Sequence, residues 1–423
     1  MSPLFGMMSP VMHVAVSLAM LLPPSGRLSA VQAQVIGSCT DPQTSPSSEP
    51  AGLSPLELAR NLQAPLAADT LHAEFEHASF WDDNGPLLHN AWKEWEENHE
   101  ADFEISDHDD DDDEFIEPSL SRAIGNAFRD PSEETESKVK SLWKNNSGDD
   151  GPLPKGVYAT QLLTPSGISR IRDLLDMATS SGIPTRRPNG MNRHGVIVDS
   201  DVHGAVSVKS LVRLVEGEVI NQVVRPVGRM LFPDRIGPGD DVEYFAFTIR
   251  YDGSDDHDEN DSETDRDRDA NKPKRDFELK EHRDASVVTL NINLNLPEEG
   301  FAGSEVFFRE YPSEELNTMT FDDEHDPPPR NGKERGGTVR FSPGMAIIHL
   351  GAHRHGSLPI SASTSKDGSG KRYNLVIWLF GKDGDVRISP YEKEEQMNIS
   401  ERWRGASKHT VESMFQVSRT ERQ

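Results

Sequence analysis

The chain has 423 residues, 34% of them hydrophobic, and a formal net charge of −28. That is apolar sequence enough for one sizeable core, and far too acidic for the basic footprint that nucleic-acid binding needs. The acidity is concentrated: residues 102–117 carry ten carboxylates and residues 252–265 carry eight, with no Lys or Arg in either run. Such blocks repel themselves and cannot bury enough apolar area to offset ordering entropy.

The N-terminus reads as a secretory signal over residues 1–33. Its apolar stretch, Val11 to Leu22, is too short to span a bilayer, and Val31-Gln32-Ala33 permits cleavage before Gln34. A route into the ER lumen or out of the cell follows, with no transmembrane helix after cleavage. The single cysteine, Cys39, allows no intramolecular disulfide there, and Asn145, Asn260 and Asn398 open Asn-x-Ser sequons. Residues 34–154 form a low-complexity acidic region with short helices. Within it, residues 34–56 read as disordered, with a Ser/Pro-rich linker to Pro50, helical stretches lie around Leu56-Glu57-Leu58 and Ala91–Trp95, and a variable segment runs to Asp150.

Ordered sequence resumes in a domain spanning residues 155–390. Thr164-Pro165 starts a helix and Gly182 stops it, with Ile168, Ile171, Leu174, Leu175 and Ala178 on one face. A second helix is predicted over Val208–Leu231, with Leu211, Val215, Val219 and Val223 inward and Pro226 bending or ending it. The period then switches to two. Glu243–Tyr251 carries Phe245, Phe247, Ile249 and Tyr251 on one side, and Ser286–Leu296 sets Val288, Leu290, Ile292, Leu294 and Leu296 against Thr289, Asn291, Asn293 and Asn295. Further strands are predicted at Val306–Arg309, Thr338–Phe341, Ala346–Leu350 and Arg372–Phe380. Acidic inserts fall near 252–276 and 312–337, and a C-terminal tail covers 391–423. Helices followed by many short strands indicate an α+β domain on an antiparallel sandwich or jelly roll.

His282-Arg283-Asp284 directly precedes the most regular strand, whereas His108-Asp109-Asp110 sits in an acidic tract with no strand after it. In extended backbone, residues i and i+2 point to one side, so an imidazole and a carboxylate can converge on one ion. A non-haem iron site adds a second His from a distant strand and keeps positions open. His353 and His355 both follow the strand Ala346–Leu350 and compete for that place.

His282-x-Asp284, then His355-Gly-Ser-Leu-Pro-Ile, then Gly370-Lys371-Arg372-Tyr373 resembles the core of the prolyl-4-hydroxylase-like 2-oxoglutarate/Fe(II) dioxygenases. The resemblance extends to Arg187–Ile197, Val288–Asn291 and His349–Gly356, which look like a eukaryotic branch with an Arg-Pro-Asn-Gly-Met-Asn-Arg motif, and covers roughly residues 155–382. It implies a double-stranded β-helix, or jelly-roll, core with N-terminal supporting helices, and His282, Asp284 and His355 as catalytic iron(II) ligands. It favours His355 over His353, which becomes a supporting or buried structural group. Arg372 would pair with the distal carboxylate of 2-oxoglutarate, a task suited to a planar guanidinium. The chain departs from the pattern in an inserted Ser361–Gly368 stretch and in the acidic segment before His282.

The implied activity is hydroxylation of a protein or peptide side chain, proline or lysine, using molecular oxygen and 2-oxoglutarate, releasing succinate and CO2. Ascorbate is a possible added cofactor. The alternatives are a barrel without turnover that binds a basic partner, and an oxygenase acting on a small molecule. Tyr251 reads equally as a cosubstrate contact or a core tyrosine. The polar stripe Thr289, Asn291 and Asn293 reads as lining the barrel near 2-oxoglutarate or as facing solvent, and the first is expected for Thr289 and Asn291, since Asn is depleted in strands. Arg187, Asn189 and Asn192 fit either a loop over the site or a turn. Tyr373 and Trp378 read as core residues.

Overall fold

The computed structural model describes residues 53–64, 77–99, 114–145, 153–188, 192, 194–236, 243–253, 276–309, 335–362, 370–380, 385–386 and 397–398. The leader, the runs of carboxylates at 102–113 and 254–265, and residues 312–334 and 399–423 lie outside the described residues, as do Asn189 and Asn260. Among the described residues no helix is long and apolar enough to cross a membrane.

Strand periodicity places two sheets. The larger is antiparallel, in the order β1 (Val157–Gln161), β8 (Met345–Leu350), β4 (Val288–Asn293), β11 (Lys371–Leu379), β2 (Tyr244–Asp252). The smaller runs β3 (Leu279–His282), β9 (His355–Ser357), β6 (Val306–Arg309), β7 (Arg335–Val339). A short ladder joins β5 (Phe301–Gly303) to β10 (Ile360–Ala362). The two faces of the larger sheet do different work. Val288, Leu290, Ile292, Ile348, Leu375 and Ile377 pack outward on helices. The residues between them turn toward the smaller sheet, where Val157, Ala159 and Ile347 meet Val306, Phe308 and Val339. β2 is buried on both faces: Phe245, Phe247, Ile249 and Tyr251 face the interior, and Tyr244 and Ala246 face the helices.

The helical layer begins at the stretch predicted around Leu56-Glu57-Leu58 and reaches back by two residues into 34–56. Ser54 caps α1 (Pro55–Arg60) with a capping box closed by Glu57. α2 (Ala78–Asn98) is far longer than the Trp-rich stretch that signals it. The segment read as variable holds α3 (Pro118–Arg129) and α4 (Glu133–Leu142), started by Glu117-Pro118 and by the Ser132/Thr135 box. Leu56, Trp81, Trp92, Trp95, Leu120, Ile124 and Val139 from these helices share one core with the larger sheet. Trp92 is 1% exposed. Trp92→Ala should therefore cost about 3–5 kcal/mol of global stability, read from urea unfolding followed by both circular dichroism and fluorescence. Unfolding of the helices ahead of the sheet would show that the layer is an independent unit.

α5 (Pro165–Ser180) matches its signals, with the Thr164 side chain accepting from the Gly167 amide. The next helix differs from expectation. After α6 (Lys209–Arg213) the turns widen into a π-helix, Leu214–Val224, and α7 (Arg225–Leu231) continues through Pro226. Leu211, Val215, Val219 and Val223 are all buried, at a strict spacing of four. On an α-helix that spacing overshoots a turn by about 40° per step; i→i+5 bonding widens the turn and keeps the four residues inward. Pro226 falls in the first turn of α7 and ends nothing. The strand predicted from Thr338 starts sooner, at Arg335, and ends at Val339.

Candidate metal centre

Register brings the predicted ligands together. His282 on β3 pairs directly with His355 on β9, so two imidazoles from points far apart in the chain project from adjacent strands into the interior. Asp284 lies just past β3, in the loop to β4. Its amide donates to the Gly351 carbonyl at 2.9 Å, and a Cβ on Gly351 would lie 2.1 Å from the Ser286 carbonyl oxygen. Only glycine allows the two loops that close enough to seat Asp284. His282 Nε2 is 3.4 Å from Asp284 Oδ1, and His355 Nε2 is 3.7 Å from Oδ2. One nitrogen or oxygen from each of His282, Asp284 and His355 falls within 4.8 Å of the others, a set that can hold a metal ion.

Main-chain hydrogen bonds set the ligating atoms. His282 Nδ1 donates to the Lys280 carbonyl at 2.8 Å, and His355 Nδ1 to the His353 carbonyl at 2.9 Å. With Nδ1 protonated, each neutral ring presents the Nε2 lone pair, the usual outer support of a metal-binding histidine. The carboxylate is held too: Thr289 Oγ1 donates to Asp284 Oδ2 at 2.6 Å and lies 2.7 Å from Ser286 Oγ. Burial works against ionising Asp284, but the imidazoles of His355, His282 and His349 outweigh it and hold its pKa below the ordinary value. Burial likewise lowers His282, where the Asp284 carboxylate more than compensates and raises it; for His355 burial wins, and the pKa falls well below normal. Removing the Thr289 hydroxyl should loosen the carboxylate. Thr289→Val is expected to weaken divalent-metal affinity about 10- to 100-fold, measured by Co(II) titration, with little change in melting temperature.

A cavity of about 30 Å³ opens beside the triad, lined also by Asn192, Thr289, Asn291 and Trp378 and by the apolar Phe247, Ile249, Leu279 and Val376. That is room for an ion or one water molecule. A wider surface cleft of about 920 Å³ between α2 and the π-helix holds none of the sequence-assigned residues.

Arg372 and Tyr251 face each other across the β11–β2 register, in the interior but not on the wall of that cavity. The guanidinium lies 4.3 Å from the Tyr251 ring centroid, donates from Nη1 to the Ser304 carbonyl, and has no carboxylate partner among the described residues. Ser304 is a non-glycine residue at φ 61°, following Gly303 at φ 71°. This left-handed pair aims the Ser304 carbonyl inward, and a Cβ on Gly303 would sit 2.3 Å from the Pro359 carbonyl oxygen. Burial pushes the Tyr251 phenol up to about 12, opposed by Arg372, and lowers the guanidinium from its usual value. A buried cation with no ion-pair partner closer than the Glu305 charge is costly, and the chemistry of its surroundings suits an anionic ligand.

No protein-family model matches the chain. Curated relatives do. The chain is 24% identical over 236 residues to 2-oxoglutarate and iron-dependent oxygenase domain-containing protein 2 of Xenopus tropicalis, covering 56% of this chain and 52% of that one. It is 29% identical over 234 residues to 2-oxoglutarate and iron-dependent oxygenase domain-containing protein CP2 of Arabidopsis thaliana, covering 54% and 46%. Both relatives are iron- and 2-oxoglutarate-dependent oxygenases by name. The chain spans about half the length of these relatives. Among solved structures, a Pseudomonas putida prolyl-4-hydroxylase aligns over 63% of this chain and 97% of its own, at 9% identity and a TM-score of 0.28. A Phytophthora capsici prolyl 4-hydroxylase aligns over 64% and 70%, at 15% identity and a TM-score of 0.31.

The structure brings together His282, Asp284, His355, Thr289 and Asn291, with Arg372 and Tyr251 deeper in the interior. Asn192 reaches the cavity, while Arg187 does not line it. His353, the competitor for the distal place, is fully buried, with Nε2 2.8 Å from the Arg309 carbonyl; burial lowers its pKa to about 4. Trp378, read as core, also edges the cavity. Two residues of the site were not assigned from sequence. Ser286 carried no signal. His349 carried one, a lone polar residue in the apolar run Ala346–Leu350.

Proposed function

We propose that the chain is an iron(II)- and 2-oxoglutarate-dependent dioxygenase that hydroxylates a protein or peptide side chain, with proline and lysine as the first candidates. The observation that carries this reading is the His282–Asp284–His355 set, with Asp284 and His355 buried, His282 partly so, and both Nε2 atoms turned to one carboxylate by main-chain hydrogen bonds. The facing antiparallel sheets support a double-stranded β-helix as the scaffold.

In this reading His282, Asp284 and His355 would hold the iron(II), and Thr289 would orient the carboxylate. Bound iron supplies oxygen activation coupled to decarboxylation of 2-oxoglutarate to succinate and CO2. Arg372 takes the distal carboxylate of the cosubstrate as a charge-assisted pair, with Tyr251 stacked against its guanidinium. Asn291, whose side-chain oxygen accepts from Asn374 Nδ2 at 2.6 Å, lines the approach. Admission of a dicarboxylate requires the apolar side chains around the 30 Å³ cavity to turn aside. Ascorbate would serve to keep the iron reduced, and the apolar leader supports action in the secretory pathway.

The test is succinate release from 2-oxoglutarate by the iron-loaded chain across a panel of proline- and lysine-containing peptides and small molecules. Stoichiometric peptide hydroxylation is the expected result. Turnover stimulated by a small molecule alone would replace the peptide reading, and absence of any iron-dependent succinate would overturn the enzyme reading.

A further inference from the structure

The centre contains a third imidazole. His349, on β8, is 1% exposed and sits across the register from Thr289, the residue that holds Asp284. Its ring centroid is 4.5 Å from that of His355, and Phe308 stands edge-on to it at 5.2 Å. His349 Nδ1 lies 2.9 Å from the Leu350 carbonyl, the same kind of main-chain bond that His282 and His355 make. A carbonyl only accepts, so Nδ1 carries the proton and Nε2 of the neutral ring is a lone pair. That Nε2 lies 4.0 Å from Asp284 Oδ2.

Three lone pairs thus converge on one carboxylate. In the neutral rings these nitrogens, like the carboxylate oxygens, offer only electron pairs, and a cation is the one partner that suits them all. A metal held by two histidines and an aspartate does not need this third ring, and an apolar side chain would fill the same space at less cost. His349 Nε2 is nevertheless not within the 4.8 Å set that His282, Asp284 and His355 form, and His349 does not line the cavity, so it acts from beside Asp284 and not as a ligand.

We propose that His349 is a positioning residue of the metal centre: with Nδ1 held by the Leu350 carbonyl, its Nε2 is aimed at the Asp284 carboxylate and raises the affinity of the site for a divalent metal. This rests on the reading of His282, Asp284 and His355 as ligands.

The experiment uses the full chain and Co(II) as the probe, with metal affinity and melting temperature followed together in wild type, His349→Phe, His349→Gln and His282→Ala. Phenylalanine keeps the ring and removes the lone pair. Expected for His349→Phe is a metal-free melting temperature equal to or above wild type, a Kd for Co(II) raised about 10- to 100-fold, and loss of much of the metal-induced thermal shift. His349→Gln, which restores an acceptor, should recover part of the affinity. An unchanged Kd in both His349 variants, with binding still abolished in His282→Ala, would overturn the role of His349 and leave the triad standing. A weakened Kd matched by an equal loss of metal-free stability, with no recovery in His349→Gln, would reduce His349 to packing. If wild type binds Co(II) no better than His282→Ala, the triad reading itself fails. Should His349→Phe not fold, His349→Gln against wild type decides by the same Kd and thermal shift.

Discussion

His355→Ala is expected to abolish both tight metal binding and iron-dependent 2-oxoglutarate turnover, to the level of a protein-free control. The change removes one of two imidazoles that can ligate from paired positions on β3 and β9, and leaves Asp284 with one fewer neighbour to offset its burial. His353→Ala supplies the contrast. That side chain is buried against the Arg309 carbonyl and Phe308, outside the ligand set. Its removal should cost about 2–4 kcal/mol of stability, through a cavity and a lost buried hydrogen bond, while retaining part of the turnover at low temperature. Metal titration, succinate release and thermal melting on both variants give the answer. An inactive His353→Ala beside an active His355→Ala would exchange the two assignments.

Arg372→Ala should show the opposite split, binding iron nearly as wild type while needing far more 2-oxoglutarate. The guanidinium contacts Tyr251, Phe341 and the Ser304 carbonyl, and none of the three metal-site residues. Leaving a buried carboxylate unpaired costs about 3–5 kcal/mol, or roughly two to four orders of magnitude in affinity. Arg372→Lys falls between, since a single ammonium replaces a planar fork. Titrating 2-oxoglutarate anaerobically into the iron-loaded chain and following the metal-to-ligand charge-transfer band measures the shift. Identical curves for Arg372→Ala and wild type would move the anchor elsewhere, with Lys371 the next residue to test.

Much of the site was legible because strand alternation is strict. Thr289 and Asn291 interrupt an otherwise apolar strand, and the structure turns them inward as that pattern implies. Their relation to Asp284 was not legible, since parity does not carry across the non-strand residues 283–287. His349 belongs to the same class of signal, one polar side chain at an inward position, but the sequence cannot say that β8 lies beside β4. Cross-strand neighbours are a product of topology. The helices α3 and α4 were hidden differently. Their caps are readable at Glu117-Pro118 and Ser132, but the adjacent acidic run made the whole segment look like loop. The wide turns of Leu214–Val224 were written in a four-residue repeat that reads equally well as ordinary helix until its drift is counted.

The pairing of His282 with His355 also bears on how the chain keeps its shape. An ion gripping both would act as a cross-link between residues distant in sequence, in a protein whose single cysteine rules out an internal disulfide. Closing a long loop in the unfolded chain costs entropy that grows only slowly with loop length, so one coordinate bond pair spans the insert near 312–337 as effectively as it would a short turn. The stabilisation scales with how far metal exceeds its Kd, about 2.7 kcal/mol at a hundredfold excess. Metal supply would then set the stability of the fold as well as its activity, and the insert between His282 and His355 could vary in length without unfastening the clasp.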